Sequence, residues 1–177
     1  MKSLSNELFS WKITLSFVSV VTLIILLIGW LITHDALPLS QVIHYSEPEA
    51  NFIRLWVKIA LAIGVLLPVI GFMIWIRDRD SRKVLGFYLL VLIIQIVTEQ
   101  ILSSVWFPSI VVIVGTLYTI FRLWQLWQGQ QLIASTPQLG TDSSTILKGL
   151  LWFMLLFWFS NILMLLIVAW PSILQHL

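Results

Sequence analysis

The stretch from Ile93 to Val112, IIQIVTEQILSSVWFPSIVV, decides the fold because it contains the tip of an apolar hairpin. Within residues 84–128 the only charged side chains are Glu99 and Arg122. The residue before a proline avoids the helical region, so WFPS at 106–109 predicts a turn. About 22 residues remain on each side, enough for two helices to cross an apolar bilayer core of about 30 Å. The stretch therefore predicts two membrane-spanning helices joined by almost no loop.

The rest of the chain continues this pattern. Apolar residues make up 59% of it and charged residues 10%, with a mean hydropathy of +1.00, whereas soluble domains carry about 25% charged residues. The sequence predicts an all-α fold, a polytopic integral membrane helical bundle with five transmembrane helices in a single membrane domain, residues 1–177. The predicted spans are 13–32, 57–76, 84–105, 108–128 and 146–170.

The first apolar run has one alternative interpretation, a cleaved signal peptide, because Lys2 and Lys12 precede it. Its 20 residues exceed the usual apolar region of about 7–15 residues, which favours a membrane span.

The distribution of basic residues predicts the orientation. Basic residues favour the cytoplasmic side of short loops. With five spans, only Arg54 and Lys58 fall on one side, and the other eight fall on the opposite side. These eight are Lys2, Lys12, Arg77, Arg79, Arg82, Lys83, Arg122 and Lys148. The sequence therefore predicts that the N-terminus is cytoplasmic. The protein is expected in the plasma membrane or another energy-transducing inner membrane. Seven of the ten tryptophans lie near predicted helix ends, as in an aromatic belt: Trp11, Trp30, Trp75, Trp106, Trp124, Trp127 and Trp170.

Polar side chains inside the third span predict an intramembrane cluster. Gln95 and Glu99 are four residues apart and share one helix face, which should point at other helices rather than at lipid. Matching depths along the other helices predicts a cluster in the outer half of the membrane: Lys58, Gln95, Glu99, Thr116 and Asn161. Two interpretations remain open. Either the cluster only fixes helix packing, or Glu99 acts as a counter-charge, proton acceptor or ligand contact.

Small residues mark the second span. Ala60, Gly64 and Pro68 recur every four residues, and Gly71 follows. Proline removes a backbone hydrogen bond, so a kink is expected here, and the small residues allow another helix to approach closely. Simple packing and a mobile hinge are the two alternatives.

Arg122 is expected at the inner interface, beside Trp124 and Trp127, with its guanidinium extended to the lipid headgroups. Binding of an anionic lipid or of a partner's carboxylate is the alternative.

Several kinds of chemistry lack their residues. The chain has no cysteine, no HExxH zinc-protease motif and no phosphate-binding glycine loop, and its three histidines lie outside the predicted spans. We expect neither an enzyme nor a metal or cofactor site. The dispersed basic residues predict no nucleic-acid binding.

Two functions remain. The first is a structural, accessory or assembly protein that packs against other membrane subunits. The second is a small oligomeric transporter, channel or ligand-binding sensor that uses the cluster around Glu99. The expected partners are membrane lipids, together with other membrane proteins or further copies of the chain. The lack of a catalytic constellation favours the first.

Overall fold

The structure is a computed structural model that describes residues 11–135 and 141–174. In these ranges it contains six α-helices and two short π-helical turns. The helices are α1 (Trp11–Thr33), α2 (Glu47–Leu61), α3 (Leu67–Ile74), α4 (Arg79–Val105), α5 (Ile110–Ala134) and α6 (Thr141–Met164). The turn Ala62–Leu66 joins α2 to α3, and Leu165–Ala169 extends α6. When α2, the turn Ala62–Leu66 and α3 are counted as one span, five helical spans are long and apolar enough to cross a bilayer. This confirms the predicted bundle of five helices. Lys2 lies outside the described residues.

Helix α5 forms the centre of the bundle. It packs against α4 and α6, and α1 packs on it through the stacked rings of Phe17 and Phe121, whose centroids are 3.6 Å apart. Among the 18 most apolar consecutive residues of each span, 56% are buried in α5, against at most 33% in the other spans. The hairpin turn between α4 and α5 lies at residues 106–109, where the sequence predicts it. A side chain on α5 is therefore more often enclosed by protein than one on any other span.

The second span begins ten residues earlier than predicted. Residues 47–56, expected to belong to a polar loop, form the first turns of α2. Ser46 starts the helix, because both its backbone N–H and its hydroxyl donate to Glu49 Oε2, at 2.8 and 2.7 Å. Pro48 also favours a first helical turn. The pattern Ser-x-x-Glu at 46–49 is the sequence signal for this start.

The segment 34–46 crosses one end of the bundle, called the outer end here. The Ser40 N–H donates to Ile173 O at 2.6 Å, and the His44 N–H donates to Ser172 O at 3.0 Å. The Ser109 hydroxyl, in the hairpin turn, donates to Ser40 O at 2.6 Å. These bonds place the α1–α2 loop, the hairpin turn and residues 172–174 at the same end, as alternating spans require.

The second span widens into a π-helical turn just before Pro68. Proline has no N–H, so the carbonyl of Gly64, four residues earlier, loses its usual α-helical donor. The Leu67 N–H donates to Ala62 O, five residues back. The Tyr88 hydroxyl of α4 donates to Gly64 O at 2.8 Å and replaces the missing donor. The predicted irregularity at Pro68 thus takes the form of a wide turn held by a neighbouring helix.

Small residues let this span approach α6. A Cβ atom on Gly64 would lie 2.7 Å from Trp158 Cζ2, and one on Gly71 would lie 2.8 Å from Leu150 Cδ2. Both distances are too short for two carbon atoms, so a Cβ at Gly64 would displace the Trp158 ring, whereas one at Gly71 would require only a shift of the flexible Leu150 side chain. Ala60, one turn before Gly64, faces a cavity instead.

Candidate ligand-binding cavity

A cavity of about 320 Å³ lies between α2, α4, α5 and α6. Its volume falls within the range of about 300–1,000 Å³ that small-molecule pockets occupy. Its walls are mostly apolar, and its polar groups come from Gln95, Glu99 and Asn161 within the bundle and from Tyr45 at the outer end. An apolar cavity with a few convergent polar groups is the usual form of a ligand site.

Glu99 presents a carboxylate to this cavity. The Gln95 side chain donates from Nε2 to Glu99 Oε1 at 2.7 Å, as side chains four residues apart on one helix can. In the described part of the chain, Glu99 accepts no other hydrogen bond, so Oε2 remains available, and the carboxylate interacts electrostatically with Arg122 beyond Gln95. Gly115 of α5 faces this carboxylate, since a Cβ there would be in van der Waals contact with Oε1, at 3.6 Å.

The structure corrects the placement of Arg122. Its side chain is 0% exposed and does not reach an interface. The guanidinium donates from Nη2 to Gln95 Oε1, and its Cζ atom lies 3.9 Å from the ring centroid of Trp158 and 5.6 Å from that of Tyr88. Trp124 and Trp127, its expected companions, are 36% and 46% exposed and point away from it.

Helix direction explains this correction. In an α-helix each Cα–Cβ bond tilts towards the helix N-terminus. Helix α5 begins at the outer hairpin turn, so the Arg122 side chain leans outwards, towards Gln95, and not towards the inner interface. The cation is then stabilised by the Gln95 carbonyl and by two aromatic faces.

Further polar atoms continue from Arg122 along α5. The buried atoms without a hydrogen-bond partner among the described residues are Arg122 Nε and Nη1, Gln125 Oε1 and Tyr118 Oη. Residues 118, 122 and 125 are separated by four and three positions, so they share one face of the helix. A polar column therefore runs from the Glu99 carboxylate through Gln95 to the buried face of α5.

The other predicted cluster members have different partners. Asn161 accepts from Trp56 Nε1 at 2.8 Å and donates to Thr119 Oγ1 at 3.1 Å. The Thr116 hydroxyl donates to Val112 O at 2.7 Å and accepts from Trp170 Nε1 at 3.0 Å. Asn161 lines the cavity with Gln95 and Glu99, whereas Thr116 lies outside its lining.

Lys58 does not join the polar cluster. Its side chain is exposed on α2 and takes part in none of the polar contacts around Glu99. The face of α2 that lines the cavity carries Trp56, Val57, Ala60 and Leu61, and Lys58 lies off this face.

A chain of contacts connects the cavity to the π-helical turn. Glu99 contacts Gln95, Gln95 contacts Arg122, and Arg122 stacks on Trp158. The Trp158 Nε1–H donates to the Tyr88 hydroxyl at 2.8 Å, and that hydroxyl donates to Gly64 O. A change at Glu99 is therefore five contacts away from the irregular turn of the second span.

Sequence reasoning missed the aromatic members of the site, Trp56, Tyr88 and Trp158. A signal for two of them is present, because Trp56, Trp152 and Trp158 are the three tryptophans left over once seven are assigned to helix ends. Trp56 and Trp158 line the cavity. A tryptophan away from the interface needs a partner for its N–H, which makes it a candidate for a polar site.

No group of three or more metal-ligating side chains is found among the described residues. Comparison with known proteins adds no further constraint: no family model matches the chain, and neither a curated protein nor a solved structure matches it.

Proposed function

We propose that this chain is a small multi-pass membrane protein that binds a ligand in the cavity beside Glu99, as a sensor or as a unit of an oligomeric transporter. The observation that carries the proposal is the cavity itself, which combines apolar walls with an available carboxylate oxygen. The protein is proposed to lie in the plasma membrane or another energy-transducing inner membrane, with its N-terminus in the cytoplasm.

The exposure of the cavity rim supports entry from the lipid. Val57 and Leu61 of α2 line the cavity and are 60% and 56% exposed, and Ile96 of α4 is 42% exposed. The opening therefore lies sideways, between α2 and α4, where lipid would surround the bundle. An apolar ligand dissolved in the bilayer would reach Glu99 without crossing an aqueous phase.

The loose packing of α2 supports the proposal that this side of the cavity moves when a ligand binds. None of the residues of α2 is buried, so a shift of the helix would break few buried contacts apart from the hydrogen bond between Trp56 and Asn161. The π-helical turn follows α2 directly and is tied to Glu99 through Gln95, Arg122, Trp158 and Tyr88. Occupation of the cavity would thus act on the π-helical turn of the second span.

A pair of phenylalanine variants tests the proposal. Ala60 lines the cavity, whereas Ala62, two residues later, is exposed. The purified protein is placed in phosphatidylcholine nanodiscs with a neutral alkyl-diazirine alcohol, which crosslinks on illumination, and the labelled residues are mapped by mass spectrometry. We expect label on cavity residues in the wild type and in Ala62→Phe, and its loss in Ala60→Phe, because the phenyl ring fills the space.

The opposite pattern refutes the proposal. If the label is spread evenly over the lipid-facing residues, or if Ala60→Phe and Ala62→Phe lower cavity labelling equally, no ligand site exists there. Thermal unfolding of both variants shows whether each remains folded.

The accessory role remains a second candidate. The outward face of α2 carries Phe52, Leu55 and Ile59, which are 42%, 57% and 36% exposed, and a helix of a partner subunit can pack on such a face. Purification in mild detergent tests it: a partner at fixed stoichiometry supports this role, and a monomer or homo-oligomer argues against it.

A further inference from the structure

We propose that the ligand of this cavity is a hydrophobic amine, with its ammonium group on the Glu99 carboxylate and its apolar body along the walls of α2 and α6. The inference rests on the proposed function and adds the chemical class of the ligand. It is carried by three features of the site: an available acidic oxygen, aromatic walls, and a depth below the bilayer surface.

The carboxylate selects for a cationic donor. Glu99 Oε1 is occupied by Gln95, and Oε2 accepts no hydrogen bond from the described residues. An ammonium N–H···O⁻ bond is about twice as strong as a bond between neutral groups. Arg122 cannot take this place, because Gln95 stands between the two side chains and the guanidinium does not line the cavity. An anionic ligand would be repelled by Glu99.

The walls suit a cation with an apolar body. Trp56 and Trp158 line the cavity, and since Arg122 already lies over the Trp158 ring, the indole of Trp56 is the one offered to a ligand cation. Indoles are the aromatic groups that attract cations most strongly. Leu92, Val65 and Leu165 supply purely apolar surface for the rest of the ligand. The Asn161 amide uses one acceptor position for Trp56 and one donor position for Thr119, so one of each remains for a polar group of the ligand.

The depth of Glu99 identifies the source of the amine. Glu99 lies six residues before the end of α4 at Val105, which corresponds to about 9 Å along the helix. A lipid headgroup stays outside the apolar core of about 30 Å. A phospholipid therefore does not place its amine at Glu99, whereas a free amphiphile dissolved in the bilayer does.

Three probes with one common tail test the class. They carry the same alkyl-diazirine chain and end in a primary ammonium, an alcohol or a sulfonate. In phosphatidylcholine nanodiscs, we expect the ammonium probe to label the cavity at least about tenfold more than the alcohol, which corresponds to about 1.4 kcal/mol. The sulfonate probe should label it least.

Glu99→Gln removes the charge but keeps an acceptor for Gln95. We expect this variant to lose the preference for the ammonium probe and to keep labelling by the alcohol, which also shows that it is folded. Glu47→Gln is the matched control, since Glu47 is an exposed carboxylate outside the cavity. It should behave as the wild type does.

Each outcome has a separate meaning. Equal labelling of the cavity by ammonium and sulfonate probes refutes the amine and leaves the binding site standing. A preference for ammonium that persists in Glu99→Gln also refutes it. If no probe labels the cavity, the proposed function itself fails. If a photoactivatable phosphatidylethanolamine competes with the ammonium probe and labels the same residues, the assignment to a free amine is wrong.

Discussion

Arg122 places a permanent cation in the centre of the bundle, so neighbouring protein groups have to stabilise the charge that water would otherwise solvate. An arginine in a protein does not lose its proton, and its planar group can stack on a ring and donate hydrogen bonds at once. Trp158 and Tyr88 supply the rings, and Gln95 supplies an acceptor. Because Gln95 bonds to Glu99 with its other end, one amide holds both the acid and the base.

Arg122→Ala tests this arrangement at the scale of one residue. The variant loses a desolvated cation–π contact worth about 2 kcal/mol and leaves the buried Gln95 oxygen without a donor. We expect the free energy of unfolding to fall by about 3 kcal/mol. Unfolding in mixed micelles, followed by circular dichroism, measures it.

Arg54→Ala serves as the control, since Arg54 is exposed on α2 and its one hydrogen bond among the described residues runs from Nε to Ala50 O. A change within about 0.5 kcal/mol is expected for such a surface residue. Equal losses in the two variants would mean that the stacking in the core contributes nothing.

The sequence predicts part of the site at this scale. Glu99 and Gln95 are recognisable because a carboxylate and an amide on one face of an apolar helix need protein partners. The position of Arg122 is not recognisable from the sequence, since a long basic side chain near a predicted helix end usually extends to the lipid headgroups. Its direction depends on which end of α5 lies outside and on aromatic rings that come from two other helices, Tyr88 on α4 and Trp158 on α6.

At the scale of the element, the second span combines a proline with a hydroxyl donor from a neighbouring helix. Pro68 and its effect on the backbone are visible in the sequence. Tyr88, which compensates for it, lies 24 residues from Gly64 and could not be assigned without the packing of α4. The start of α2 was predicted too late because the capping pattern of Ser46 and Glu49 lies in a stretch whose charges resemble a loop.

A double-mutant cycle of Tyr88→Phe and Pro68→Ala tests this compensation. Tyr88→Phe alone leaves Gly64 O and the Trp158 N–H unpaired, and we expect a loss of about 2 kcal/mol. In Pro68→Ala, residue 68 regains an N–H that can bond Gly64 O. In this background Tyr88→Phe should lower the free energy of unfolding by about 1 kcal/mol less than it does in the wild type. Such a difference exceeds the deviation of about 0.5 kcal/mol that is seen between independent sites.

The two single variants and the double variant are compared by chemical denaturation in the same detergent. Strict additivity of the two changes would show that the Tyr88 hydroxyl does not replace the proline's missing donor.

At the scale of the whole molecule, the alternation of the spans fixes which loops share an end. The bonds of Ser40 to Ser109 and Ile173 bring three connections together, as the sequence predicts from its five apolar runs. With Arg122 in the core, the number of basic residues predicted on the inner side falls from eight to seven, and the two on the outer side are unchanged. The expected orientation stays the same.

Single cysteines test the orientation, and the chain has none of its own to interfere. Gln41 lies in the outer loop and Ser143 at the start of α6, and both side chains are exposed. In intact cells we expect a membrane-impermeant maleimide to label Gln41→Cys and to reach Ser143→Cys only after permeabilisation, because the two lie at opposite ends. Labelling of both in intact cells, or of Ser143→Cys alone, contradicts the proposed topology.

The bonds across the outer end also set an order of events during synthesis. Ser40 and His44 bond to residues that leave the ribosome about 130 positions later. At about 5–20 residues per second, the early loop waits roughly 10 seconds for its partners. Helices α1 to α5 can therefore enter the bilayer and pair first, and the outer end of the bundle is completed only when the last span has been translated.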